Sequence, residues 1–260
     1  MKRLSFLIII LGSIILPAKA DLATIAAADS AYMADEFQTA VELYSKAISE
    51  DGPSAKLYYN LGNSYYRTGQ PGKAILAYER SLRLDPTDRD ARENLEFVNE
   101  RITDRPGERG TFIGNSLDAA SASMRSDTWA WIAFGAFLLT AAGVLTYLFT
   151  GNIGLRKLGF FGGIATFILC LISTFFAIRS ASVSLVDDSA IITSPSTILS
   201  TAPRAPRDRS QEAMLLHEGT KVQILDSVKS TTDSVASVWY DVQIDNSHRA
   251  WINSKDVEII

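Results

Sequence analysis

Two runs of 21 residues, 129–149 and 158–178, contain no charged residue and are separated by only eight positions. A helix of about 20 apolar residues crosses the hydrocarbon core of a bilayer, so the chain is expected to pass through a membrane as a two-helix hairpin: span 129–149, loop 150–157, span 158–178. Trp129, Trp131, Tyr147 and Phe149 stand near the ends of the first run, where interfacial aromatic rings belong. The loop carries Arg156 and Lys157 and no acid, which predicts a cytoplasmic turn. Apart from the weakly acidic Tyr147 and Cys170, neither run contains an ionisable residue, so a proton relay or ion path is not indicated. As the sole cysteine of the chain, Cys170 also excludes an intrachain disulfide and a cysteine-based zinc site. Gly135, Ala136, Ala141, Ala142 and Gly143 in the first run, and Gly159, Gly162 and Gly163 in the second, are small enough to let two helices pack closely or to face a partner's helix.

The N-terminus supports the same topology. Met1-Lys2-Arg3, an apolar stretch from Leu4 to Leu16, and Ala18-Lys19-Ala20 have the form of a signal peptide over residues 1–20, with cleavage after Ala20. Residues after 20 are then exported, the hairpin turns in the cytoplasm, and the C-terminus returns to the outer side.

Residues 21–103 read as helices at 21–34, 37–50, 54–68 and 71–84, followed by a fifth at 88–103 with an apolar stripe of Ala91, Leu95 and Val98. The stretch 55–86 places Tyr58, Leu61, Gly62 and Tyr65 on one helix, Gly69 at a turn, and Ala74, Tyr78 and Ser81 on the next helix before Pro86. Small residues let the helices approach and bulky ones fill between them. This pattern resembles the tetratricopeptide repeat (TPR). Ala28, Ala40, Tyr44 and Ala47 precede Gly62, Ala74, Tyr78 and Ser81 by 34 residues, the period of that repeat. The resemblance implies a protein-binding array of two repeats plus a capping helix. Two repeats fall below the usual minimum of about three, so either the cap supplies the missing burial or the array leans on a partner. The expected peptide groove is lined by Tyr59, Asn60, Asn63, Tyr66 and Arg67, with Ile25, Asp29, Tyr32 and Met33 in the weaker repeat. Asparagine amides both donate to and accept from an extended backbone, and tyrosines add contact area at little entropic cost. Residues 104–128 are polar, contain Gly and Ser, and read as a linker.

After the spans the period changes. Short β-rich runs occur at 190–193, 213–216, 221–225, 238–244, 249–252 and 257–260, and five or so such strands over 185–260 predict a small barrel. Glu218-Gly219-Thr220-Lys221-Val222, Trp239-Tyr240-Asp241-Val242 and Trp251-Ile252 are similar to the words of the bacterial SH3-like domain, with Ala250 where glycine is usual. Trp239, Tyr240 and Trp251 are its groove candidates, with filling of the core as the alternative. Residues 203–209 read as a long loop. His217 and His248 lie in separate loops at no metal-ligand spacing, and no nucleophile–base set, phosphate loop or cofactor fingerprint is recognisable. The expectation is a non-enzymatic protein with no cofactor or metal. The net charge of −4 and pI near 5.3 give no reason to expect nucleic acid.

The expected fold is therefore multidomain: an all-α TPR array, a transmembrane hairpin and an all-β SH3-like barrel. That order resembles the BatE-type proteins of the Bacteroides aerotolerance (Bat) operon. The resemblance implies a bacterial inner-membrane protein with both soluble domains in the periplasm. Its partners would be membrane-anchored von Willebrand A-domain proteins and, indirectly, a MoxR-type AAA+ ATPase, and its process oxidative-stress tolerance or envelope maintenance. An adaptor is the leading expectation. The alternative is a peptidoglycan-binding sensor that uses the SH3-like domain.

Overall fold

The computed structural model describes residues 22–104, 110–185, 188–230 and 237–260; the expected signal peptide lies outside them. The helical part begins with α1 (Leu22–Met33), α2 (Phe37–Asp51), α3 (Ala55–Arg67), α4 (Pro71–Leu84) and α5 (Arg89–Asn99). Local chemistry sets these boundaries. Ser54 accepts a hydrogen bond from the Leu57 N–H to cap α3, and Asp88 accepts one from Ala91 to cap α5. Pro71 opens α4, where its missing donor costs nothing. The α1–α2 and α3–α4 turns are copies of one another. Asp35 (φ 62°) and Gly69 (φ 74°) both take the left-handed conformation, and Glu36 and Gln70 donate their N–H groups to the carbonyls of Ala31 and Tyr65. Gly62 is required by packing: a Cβ there would stand 2.7 Å from the Tyr78 ring.

The stretch expected to be linker contains a further helix, α6 (Phe112–Ser121), capped by the Thr111 hydroxyl. It was hidden because Gly114, Asn115, Ser116 and Asp118 interrupt its apolar positions. Two long apolar helices follow, α7 (Ser126–Phe149) and α8 (Ile153–Leu185), each long and apolar enough to cross a membrane. Their turn is shorter than expected. Asn152 caps α8 by accepting from Gly154 (2.8 Å) and Leu155 (3.2 Å), so Arg156 and Lys157 belong to the first turns of the helix. The two helices touch through glycines: a Cβ on Gly143 would lie 2.9 Å from the Gly159 carbonyl oxygen, and one on Gly159 2.6 Å from that of Gly143. Thr140 and Thr166 hydroxyls meet at 2.9 Å, and Trp129 packs on Phe176 with ring centroids 5.0 Å apart. Small residues that permit such backbone approach are the usual means of pairing helices in lipid.

The C-terminal part is one antiparallel sheet of seven strands: β1 (Ser189–Ile192), β2 (Ser196–Ser200), β3 (Glu212–His217), β4 (Lys221–Ser230), β5 (Ser237–Gln243), β6 (Arg249–Asn253) and β7 (Val257–Ile259). Their order is β3-β2-β6-β5-β4-β1-β7. β2 was not among the expected strands; its Ile198 points outward while Thr197 and Leu199 are buried, which obscures the usual alternation. The sheet curls strongly. β2 and β7 are five places apart in the order, about 24 Å if the sheet were flat, yet Thr197 donates to the Asp256 carboxylate next to β7 at 2.9 Å. A single apolar cluster draws Ile192, Leu199, Leu216, Val222, Val242, Ile252 and Val257 from all seven strands.

The helical array and the sheet are packed together. Ile191 of β1 is fully buried among Ala74, Ile75, Leu76, Tyr78, Leu95 and Val98, with Ile102 and Ile260 alongside. Gly219 (φ 89°) is doubly constrained, because a Cβ there would come within 2.8 Å of Ile102 and 2.9 Å of Ile75. Lys221 pairs with Glu79 at 2.9 Å. Asp104 accepts from the His217 N–H and from the Thr220 hydroxyl (2.8 Å), and its other oxygen meets the His217 ring at 3.0 Å. Burial opposes charge on Asp104, but the hydrogen bonds from His217 and Thr220 outweigh it and hold the carboxyl below its ordinary pKa. A lowered carboxylate pKa contributes stability that is fully present above the ordinary value of 3.8 and is lost as pH falls through the lowered one. Asp104→Ala is therefore expected to speed amide exchange at residues 217–220 about 10- to 100-fold at pH 7. The difference from wild type should narrow as pH falls below 3.8 in hydrogen–deuterium exchange of the full chain.

Candidate functional site

The helices α1, α3 and α5 carry the expected groove residues, while β1 and the β3–β4 turn pack on α4. Two side-chain triads link these helices, one 34 residues after the other. In the first, the Tyr44 hydroxyl donates to Asp29 Oδ1 (2.6 Å), and Asn60 Nδ2 approaches the same oxygen at 3.4 Å. In the second, the Tyr78 hydroxyl donates to Asn63 Oδ1 (2.7 Å) and Asn94 Nδ2 donates to it at 2.8 Å. Each triad ties the second helix of a repeat to its first helix and to the first helix of the next. Both tyrosine hydroxyls are pushed above their ordinary pKa. Burial is the main cause in each; the bond to Asp29 adds to it for Tyr44, and neighbouring Tyr59 for Tyr78. They remain neutral donors throughout the physiological range.

This geometry divides the expected groove residues. Asn60 and Asn63 are half-buried and already bonded within the array, although neither bond of Asn63 uses its Nδ2 hydrogens and the bond of Asn60 does not use its Oδ1. One acceptor and one donor group are thus presented along α3. Tyr59 is half-buried, with its hydroxyl 3.5 Å from Asn94 Nδ2. Tyr66 is exposed and stacks edge-on against Phe97 of α5 at 5.6 Å. Arg67 lies at the end of the groove: it pairs with Asp35 (3.3 Å) and covers the Phe37 ring at 3.9 Å, closing one repeat on the next. In the weaker repeat Tyr32 packs on Phe37 at 5.3 Å, and Met33 is exposed. Asn94 and Phe97 were not expected in the site. They lie 34 residues after Asn60 and Asn63, so extending the repeat period into α5 would have found them.

In the sheet, the three expected groove aromatics do not share a face. Tyr240 lies opposite Ile252 and packs against the apolar core, whereas Asp241 lies opposite Trp251 and Trp239 opposite Asn253. Trp239 is 5% exposed and its Nε1 donates to the Ser237 hydroxyl at 3.0 Å. Trp251 is half-buried on the outer face with the buried Asp241, whose carboxylate accepts from Arg249 Nε at 2.8 Å. Neither tryptophan belongs to the apolar cluster at the centre of the sheet.

Residues 55–88 match the family model of the tetratricopeptide repeat. The match covers α3, α4 and the Asp88 cap of α5, and with them Asn63 and Tyr78 of the second triad. No curated protein matches the chain. Tetratricopeptide repeats are surfaces that hold other proteins, so the face carrying these residues is the candidate site of protein interaction.

The triads and the exposed rings are expected to respond differently to substitution. Asn63→Ala removes the acceptor shared by Tyr78 and Asn94 and should destabilise by about 1–3 kcal/mol. Tyr66→Ala should stay within about 0.5 kcal/mol of wild type. Urea denaturation of the full chain in micelles, followed by circular dichroism, measures both.

Proposed function

We propose that the chain is a non-enzymatic adaptor anchored in a membrane, whose concave helical face holds an extended segment of a protein partner. The observation that carries this reading is the division of the array's two faces. The sheet packs against the back through Ile191 and Gly219, while the concave side presents Tyr66, Phe97, Asn60 and Asn63. Aromatic anchors beside amides that bond a backbone suit an extended peptide better than a small molecule.

In this reading α7 and α8 cross the bacterial inner membrane, with Arg156 and Lys157 holding the turn in the cytoplasm and both soluble parts in the periplasm. The direct packing of array on sheet supports a common side. The curled sheet is read as an SH3-like small barrel, with Glu218 and Gly219 of its characteristic word turned against α4 as a brace. The resemblance to BatE-type proteins points to von Willebrand A-domain membrane proteins as partners, a MoxR-type ATPase acting through them, and a role in aerotolerance or envelope maintenance. The alternative, peptidoglycan binding by the sheet, retains only Trp251 of its three rings, since Trp239 is buried and Tyr240 faces inward.

A photo-crosslinking residue placed at Phe97 on the concave side, and separately at Lys46 on the outer surface of α2, tests the adaptor reading in cells. Adducts to one membrane protein are expected from position 97 only, and Tyr66→Ala should reduce them at least about tenfold, the loss of one aromatic anchor. Equal adducts from both positions, or adducts indifferent to Tyr66→Ala, would refute the assignment of the groove.

A further inference from the structure

The helix α6 stands immediately before α7 and carries a face that the fold does not use. Ile113, Leu117, Ala120 and Met124 follow one another at steps of four, three and four, which places them on one side of a helix; Met124 lies just beyond the last turn. Phe112, which begins the helix, is 86% exposed and Ile113 is 71% exposed. The other side is occupied. Gly114 and Asp118, one turn apart, both bond Arg179 of α8, through the Gly114 carbonyl (3.4 Å) and the Asp118 carboxylate (2.8 Å). Trp129 Nε1 donates to the Ser121 carbonyl at 3.2 Å. Asp118, Ala119, Ser121 and Ala122 form one wall of a cavity of about 700 Å³ against α4, α5 and α8.

These contacts fix the height of α6. Arg179 is the first charge after the uncharged run 158–178, and Trp129 opens the other uncharged run. Where the hairpin spans a bilayer, these two residues mark the level at which hydrocarbon gives way to headgroups. A helix bonded to both lies in that plane, and its uncharged apolar face continues the lipid-facing surface of the hairpin.

We propose that α6 is an interfacial helix, with Ile113, Leu117 and Met124 inserted among the lipid chains of the leaflet on the side of the array and sheet. This rests on the reading of α7 and α8 as membrane spans. A short helix with one apolar and one polar face binds a bilayer surface in this way. The occupant of the face is lipid rather than a second protein, because the face is continuous with the exposed apolar surface of α7 and α8 and is anchored at their ends. Its effect is to hold the array close to the membrane and leave the groove little freedom to tilt.

The test uses the full chain in liposomes, with Cys170→Ser removing the native thiol and a spin label at one introduced cysteine: Ile113→Cys, Asn115→Cys on the opposite side of α6, or Leu139→Cys within α7. Collision rates with oxygen, which partitions into lipid, and with a water-soluble nickel complex are compared. Oxygen over nickel should exceed one at 113 and 139 and fall below one at 115. Met124→Cys repeats the measurement on the same face should the label at 113 disturb folding. A ratio below one at 113 and 124 beside a high ratio at 139 overturns the proposal and leaves the spans standing. Shielding of 113 from both reagents also overturns it, with protein as the cover. A ratio below one at 139 removes the span reading and this inference with it.

Discussion

The burial of Ile191 between α4 and α5 is the contact on which the arrangement depends. A tetratricopeptide repeat at 55–88, one helix pair before it and a single further helix leave the last pair with an uncovered apolar surface, the usual reason such arrays need at least about three units. In this chain the cover comes from within. A residue of the first strand enters the helical core with Ile102 and Ile260 beside it, and a glycine at the β3–β4 turn leaves room for the Ile75 and Ile102 side chains. The polar bonds around this seam, from Glu79 to Lys221 and from Asp104 to His217 and Thr220, sort one register from others more than they add stability. The apolar contact comes first and the charges direct it.

The concave face follows from this. An array stabilised by a partner on its groove would be occupied before any client arrived, whereas an array stabilised from behind keeps its groove free. The two triads complement that arrangement from inside. Tyr44 and Tyr78 reach across from the second helices and hold the amides and Asp29 in position, so the groove presents groups whose rotamers are already fixed. A ligand meeting a fixed donor and acceptor loses less ordering entropy on binding than one meeting free side chains. The same bonds explain why the asparagines are poor places to probe recognition: their removal loosens the array itself.

The helices were legible because the repeat writes its packing rules plainly. Gly62, Ala74 and Ser81 are small where helices cross, Gly69 marks a left-handed turn, and the 34-residue self-match recovers the worn copy. Observed α2, α3 and α4 begin and end within a residue or so of the expected limits; α5 is shorter than 88–103 because the chain turns at Arg101 to bring Ile102 and Asp104 to the sheet. What was missed depended on contacts distant in sequence. α6 is only ten residues long, carries turn-favouring Gly114, Asn115 and Ser116 near its start, and is completed by Arg179, 65 residues away from Gly114. β2 exposes an isoleucine and buries a threonine that bonds Asp256. Tyr240 and the two tryptophans were grouped by residue type, but strand alternation divides them between opposite faces. No local window contains that information, since it resides in the pairing of β5 with β6.

The connections through the hairpin add the last constraint. α8 has 33 residues, about 50 Å of helix, against a hydrocarbon core of about 30 Å. It therefore continues beyond Arg179, and β1 begins only four residues after its end, so the sheet follows directly on the second apolar helix. The array reaches the first apolar helix by way of α6, which is itself paired with α8 at Arg179. Array and sheet are then joined a third time by Ile191. Two bodies on separate stalks would swing independently, but with these three connections in a closed circuit, tilting one requires breaking either the apolar seam or the ties to Arg179. A helical face held in this way has a set direction relative to the two apolar helices. On the adaptor reading proposed above, that geometry favours a client whose own segment arrives from the same membrane surface over one that diffuses in from any side.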